Sequence, residues 1–311
     1  MIINGDSNDE IKKLEDNSID ALVTDPPYGL SNISHSSFMD CLSKWSSGEY
    51  GYTPSSKGFM SKSWDGFVPP PSIWKEVYRV LKPGSHGLVF AGSRTMDLMG
   101  LSLRIAGFEI RDCISWLYGS GFPKSHDVSK AIDKLKGEER EIVGKRSEAT
   151  LKAMQRFKEQ DGREKRTDFS DIGFITAPSS EEAKQWEGFG TALKPAYEPA
   201  LLIRKPFKSS VAQNVLEHGT GALNIDGCRI ESDDNLNGGT YGNKPRYKRN
   251  NKIFGSSQNS ISEYIQPIGR FPSNVIMNEE ASNLLQGQSR FFYTAKSSQA
   301  ERSAGLNGMN I

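Results

Sequence analysis

The chain has 311 residues, enough for one large domain with insertions or for two modest ones. Charged residues make up 25% and apolar residues 36%, with 30 glycines and 15 prolines, a soluble but loop-rich composition. A net charge of +1 is silent about nucleic acid, because one basic face can be offset elsewhere. Cys41, Cys113 and Cys228 lie far apart without a CxxC pair and suggest neither a disulfide framework nor a zinc site. No metal is expected. The N-terminus lacks a signal-peptide core, and no apolar run approaches the roughly 20 residues of a membrane span. A soluble protein of a reducing cytoplasm is expected.

The first third alternates strand and helix. Ile2-Ile3 reads as a very short strand and Asn8 to Leu14 as a short amphipathic helix. Asp20 to Thr24 is a buried-type strand that runs into Asp25-Pro26-Pro27, where proline must end it. Gly29 to Val68, rich in Ser, Gly and aromatics, reads as a long loop. Ser72 to Leu81 presents Ile73, Trp74, Val77, Val80 and Leu81 on one helical face, stopped by Pro83-Gly84. A strand (Gly87 to Ala91), a helix (Thr95 to Ala106) and a strand (Phe108 to Tyr118) follow, which predicts an open α/β sheet.

The pattern breaks at Pro123. Residues 124 to about 170 are dense in charges of both signs and read as a solvated helical insertion. Core-like sequence returns with Ala200 to Ile203, a polar, turn-rich stretch runs from Lys205 to Arg270, and Asn274 to Met277 and Phe291 to Ala295 read as strands. His35, His86, His126 and His218 are scattered in turns and read as surface residues. Trp45, Trp64 and Trp116 read as packing groups.

The segment Asp25-Pro26-Pro27-Tyr28-Gly29 carries the chemistry. An exocyclic base amine is a poor nucleophile because its lone pair is delocalised into the ring. The Asp25 carboxylate and the Pro26 carbonyl could accept its two hydrogens and so favour a tetrahedral nitrogen. The prolines stiffen the loop and keep both acceptors aimed at one point. Tyr28 offers a flat face for a base extruded from the duplex. No covalent nucleophile is needed.

From Gly5 to Gly29 the chain resembles the start of a β-class (permuted) DNA N6-adenine or N4-cytosine methyltransferase of the phage and restriction-modification type. The segments WKEVYRVLKPGSHGLVFAGS, LYGSGFPKSHDVSKAID, GFGTALKPAYEPALLIRKP, GTGALNIDGCRI and RFFYTAKSSQAERSAGL are similar to successive blocks of those enzymes. The resemblance implies a Rossmann-like S-adenosylmethionine-dependent α/β sheet and a flipped-base substrate in double-stranded DNA, in a bacterial or phage-infected cell. It implies catalytic roles for Asp25, Pro26, Pro27 and Tyr28, and a place for Asp6 and Asp25 beside the cofactor. Asp6 reads equally well as a helix-capping residue. Adenine N6 is favoured by an Asp before Pro-Pro; N4-cytosine methylation, methylation of an RNA or protein amine, and a non-catalytic DNA-binding subunit are the alternatives.

The division expected is 1–123 as the catalytic α/β half, 124–170 as the insertion, 171–206 as the return to the sheet, 207–272 as the target-recognition region and 273–311 as core strands and tail. Within the fourth, Lys244, Arg246, Tyr247, Lys248, Arg249 and Lys252 form a basic, aromatic-interleaved stretch suited to phosphates and bases. The resemblance places an FxGxGT cofactor loop downstream of Ile311. The glycine clusters at Gly119, Gly188 and Gly219 lack the strand-loop-helix context for that role. The sheet is therefore expected to be incomplete here, with the Asp20 to Thr24 strand left as an edge and a second polypeptide supplying the cofactor half.

Overall fold

The computed structural model describes residues 2–30, 33–54, 66–119, 121, 125–148, 173–232, 236 and 268–294. Two compact units are present, residues 1–120 with 196–311, and residues 121–195. In chain order the elements are α1 (Ser7–Glu10), β1 (Ile19–Thr24), α2 (His35–Ser46), α3 (Pro71–Val80), β2 (Leu81–Phe90), α4 (Met96–Ala106) and β3 (Glu109–Leu117). The second unit contributes α5 (Val128–Lys136), β4 (Ile142–Lys145), β5 (Phe174–Thr176) and α6 (Glu181–Gln185). The first resumes with β6 (Tyr197–Arg204), α7 (Val211–His218), β7 (Val275–Met277), α8 (Glu279–Leu285) and β8 (Tyr293–Thr294).

The first unit is built on a six-stranded sheet of order β1-β2-β6-β3-β7-β8. Strand β6 runs antiparallel to both neighbours, while β1 pairs parallel with β2, β3 with β7 and β7 with β8. The α/β class expected from the alternating pattern is present. Among the described residues β1 has β2 as its single partner, and Val23 on it is 73% exposed.

Helices α3 and α4 bury Trp74, Val77, Met99 and Leu103 in one cluster with Val89, Leu201 and Ile203 of the sheet. Pro71 opens α3, where its missing N–H costs nothing, and the three-residue spacing of Pro71, Trp74, Val77 and Val80 turns one stripe inward. Each such side chain contributes roughly 1.5–3 kcal/mol by leaving water.

Several sequence expectations differ from the structure. The stretch read as a loop from Gly29 to Val68 contains α2, capped by the Ser34 hydroxyl, which accepts the Ser37 N–H. Cys41 and Trp45 are buried, Phe38 and Leu42 pack beside them, and the Trp45 indole donates to the Tyr52 carbonyl at 2.8 Å. That apolar stripe is diluted by serines on the outer face, which hides its period. Ile2 and Ile3 form no strand and are about half exposed, at 52% and 46%, since no described strand lies beside them. The return to the sheet begins at Tyr197 and not at 171, because Phe174–Thr176 pairs with Ile142–Lys145 in the second unit.

The described residues of the second unit hold two helices and a two-stranded sheet, and they are organised around Asp133, which is fully buried. Its carboxylate accepts from Arg140 at 2.6 Å, from the Ser179 and Ser180 N–H groups at 3.0 Å each and from the Ser180 hydroxyl at 2.7 Å. Burial pushes this carboxyl upward, but these donors outweigh it and hold it well below the usual carboxylate range. Among the described residues no helix is long and apolar enough to cross a membrane.

Candidate active site

The last β1–β2 pair is Thr24 with Val89, after which Pro26 and Pro27 end the ladder. The chain then doubles back at Gly29, which has φ +65° and is buried. A Cβ built there would lie 2.6 Å from the Val68 nitrogen and 2.8 Å from the Phe67 carbonyl carbon, so only glycine fits. The loop after β2 clamps the other side, where the Thr95 hydroxyl donates to the Tyr28 carbonyl at 2.6 Å. Asp25, Pro26, Pro27 and Tyr28 are thus held between two neighbouring segments.

A cavity of about 700 Å³ opens beside β1, lined by Asp6, Ser7, Ile11, Leu22, Asp25, Pro26, Pro27, Phe67, Val68 and Trp74 among others. Asp6 and Asp25, far apart on either side of β1 in sequence, meet at this cavity. The Asp6 carboxylate also accepts the Asn8 N–H at 2.8 Å, so it caps α1 and faces the cavity at once. Apolar walls with two carboxylates suit a ligand that combines a flat heterocycle, hydroxyls and positive charge.

Tyr28 does not line the cavity. Its hydroxyl lies within electrostatic reach of Asp25, of Glu198, the second residue of β6, and of Tyr118, which follows β3. Burial first, then Asp25 and the Glu198 charge, push the Tyr28 hydroxyl far above its ordinary value. Burial and the Asp25 charge raise Glu198, against the two tyrosine hydroxyls that lower it. All four groups gather at one end of the sheet, because β6 runs backwards and begins where β1 and β3 finish.

Glu198, Tyr118 and Thr95 escape the sequence reading. The one signal was an acid at the start of an otherwise apolar run, Tyr197 to Ile203. Lys244, Arg246, Tyr247, Lys248, Arg249 and Lys252 lie outside the described residues. The glycine cluster at Gly188 follows helix α6, and Gly219 is the left-handed cap of α7; neither follows a strand. His86 sits within β2, half-buried, and Trp116 packs edge-on against Phe90 with centroids 5.6 Å apart.

A family model described as DNA methylase, of the N6/N4 methyltransferases, matches residues 19–217. The chain belongs to this family. The matched span runs from β1 through β6 to the end of α7 and so includes the loop at Asp25, Tyr118 and Glu198. The type II methyltransferase M.HindIII of Haemophilus influenzae (strain ATCC 51907 / DSM 11121 / KW20 / Rd) is 28% identical over 243 residues, which cover 72% of this chain and 64% of that protein. The type II methyltransferase M.HpaI of Haemophilus parainfluenzae is 28% identical over 127 residues, 40% of this chain and 34% of that protein. The chain therefore spans less than two thirds of the length of these relatives. Among solved structures, an M1.HpyAVI–SAM complex aligns over 68% of this chain and 58% of its own, with 13% identity and a TM-score of 0.27.

Proposed function

We propose that this DNA methylase chain forms the base-side part of the active site of an S-adenosylmethionine-dependent DNA amino-methyltransferase, with N6 of adenine as the acceptor. What carries the reading is the meeting of Asp6, Asp25 and the double proline at one cavity, with the Tyr28 carbonyl held by the Thr95 hydroxyl. The relatives' names as type II methyltransferases support DNA in a restriction-modification setting, and the name of the SAM complex supports the cofactor.

S-adenosylmethionine supplies, when bound, a methyl group on a positively charged sulfur. The cavity offers two carboxylates for ribose or amino groups and apolar side chains for a purine, so the residues present fit it. On the base side, the Asp25 carboxylate and the Pro26 carbonyl accept the two amine hydrogens and localise the nitrogen lone pair. The Asp25 carboxylate would also receive the surplus proton that the amine sheds on methylation. The Tyr28 ring is the platform for the extruded base. Asp25 favours adenine over cytosine as the target.

The basic stretch Lys244, Arg246, Tyr247, Lys248, Arg249 and Lys252 belongs, in this reading, to target recognition. Replacing Arg246 and Arg249 with Ala then weakens duplex binding and flattens its salt dependence; binding unchanged across salt concentrations contradicts the assignment. We further propose that a second polypeptide, or a further part of the same one, completes the cofactor site along the outer edge of β1. Leu22 and Thr24 border the cavity there while that edge has no described partner.

The deciding experiment incubates the chain with labelled S-adenosylmethionine and unmodified duplex DNA, with and without the adjacent coding segment, then separates the hydrolysed bases by chromatography. Label in N6-methyladenine supports the reading, label in N4-methylcytosine reassigns the base, and label in neither refutes amino-methylation. Tight cofactor binding by the chain alone rules out the need for a second part.

A further inference from the structure

The segment that carries the amine acceptors is held at both ends by one neighbour. At its start, Thr24 pairs with Val89 of β2. At its far end, the Tyr28 carbonyl accepts the Thr95 hydroxyl at 2.6 Å. Between Val89 and Thr95 runs a tight turn, in which the Thr95 N–H donates to the Gly92 carbonyl at 3.0 Å. The turn lies close against the segment. A Cβ built at Gly92 would stand 3.0 Å from Leu30 Cδ2, 3.0 Å from Thr95 Oγ1 and 3.4 Å from Tyr28 Cβ.

Thr95 is itself fixed in the core. It is the N-cap of α4, and its carbonyl accepts the Met99 N–H at 3.0 Å. Met99 is buried in the main cluster with Leu98 and Leu103. Branching at Cβ further restricts the side chain that bears the hydroxyl. A threonine at this position ordinarily turns its oxygen to an N–H of the first helical turn. Ser34, Asp127, Ser180, Ser210 and Asn278 accept such bonds at α2, α5, α6, α7 and α8. At α4 no side-chain cap bond is made, and the hydroxyl goes to Tyr28 instead. It serves the loop, not the helix.

We propose that Thr95 is a positioning residue of this active site, whose hydroxyl fixes the peptide plane after Tyr28 and so sets where the Asp25 carboxylate, the Pro26 carbonyl and the Tyr28 ring point. The inference rests on the amino-methylation reading above. Pro26 and Pro27 stiffen the segment from within by fixing their own φ angles. Gly29, which follows Tyr28, is the most permissive residue a backbone can hold, so it cannot keep that plane from rotating. The bond from Thr95 closes this one loose joint.

Two measurements test this. The first uses the chain alone, with tyrosine labelled with 13C at the carbonyl and glycine with 15N, so that only Tyr-Gly peptide bonds give signals. The Tyr28 signal is the one lost in Tyr28→Phe. In Thr95→Val, which keeps the shape without the hydroxyl, the Tyr28 carbonyl signal should move upfield as its hydrogen bond is lost. In Thr95→Ser it should return towards the wild-type position. A carbonyl signal unmoved by Thr95→Val overturns the proposal. The second measures steady-state methyl transfer to unmodified duplex DNA, with whatever cofactor-binding part activity requires. Thr95→Val should lower kcat about 10- to 100-fold, the effect of slight misplacement, with KM for DNA changed less than about threefold. Thr95→Ser restores the donor and should bring kcat back to within about fivefold of wild type. The urea midpoints of the two variants should agree within about 0.5 M, so that folding does not account for the gap between them. Undiminished kcat in Thr95→Val, or equal losses in the two variants, overturns the positioning role. If the wild-type protein methylates nothing while the carbonyl signal responds as expected, the amino-methylation reading fails and the anchor itself stands.

Discussion

Gly29→Ala tests how firmly the Asp25–Tyr28 segment is pinned. A left-handed φ of +65° costs an L-residue about 1–2 kcal/mol by itself. The added methyl also falls 2.6 Å from the Val68 nitrogen and 2.8 Å from the Phe67 carbonyl carbon. Both are backbone atoms, so relief requires moving the segment that carries buried Phe67 and Val68, at roughly 1–3 kcal/mol for overpacking. The expected loss is therefore about 2–5 kcal/mol, a large share of a typical folding free energy. Gly219→Ala is the control, because Gly219 has φ +72° with nothing within 4 Å of the built Cβ. It should lose only the backbone strain of about 1–2 kcal/mol. Urea unfolding followed by circular dichroism reads both, and the difference should move the midpoint by about 1 M at usual m-values. Equal losses in the two variants would falsify the claim that the loop is pressed against Val68.

Three further outcomes are expected. Burial first, then Arg204 and Arg111, lower the His86 imidazole from its ordinary value. A lowered basic group leaves the unfolded chain binding more protons, so stability present above the ordinary histidine pKa of about 6.5 is lost as pH falls below it. The urea midpoint between about pH 7.5 and 5.5 should drop more in wild type than in His86→Gln; equal drops exclude this source. Buried Asn214 donates to the carbonyls of Pro83 and Thr220 at 2.9 and 2.8 Å; the Pro83 carbonyl also accepts the Thr220 hydroxyl, so Asn214→Ala orphans the Thr220 carbonyl and should cost about 1–3 kcal/mol in the same unfolding assay. Ser102→Ala should cost only about 1 kcal/mol, because the Pro69 carbonyl that it meets at 2.7 Å also accepts from the Trp74 indole.

Local sequence alone was enough to place β1, α3, α4 and β3, whose ends are marked by Pro26, Pro71 and Gly107, although β1, read as a buried-type strand, has no buried residue. It also determined the Asp25–Gly29 loop, whose chemistry is carried by residues in a row. Helix α2 was legible in principle from Phe38, Cys41, Leu42 and Trp45, but its serines diluted the stripe. Tertiary structure alone decided that Asp6 and Asp25 share a cavity and that Glu198 comes within electrostatic reach of Asp25, Tyr28 and Tyr118. Those encounters depend on β6 entering the sheet reversed between β2 and β3, which puts its first residues at the carboxyl ends of strands laid down far earlier in the chain. No window of sequence contains both partners of such a contact, so local pattern determines the pieces and strand order determines which of them meet.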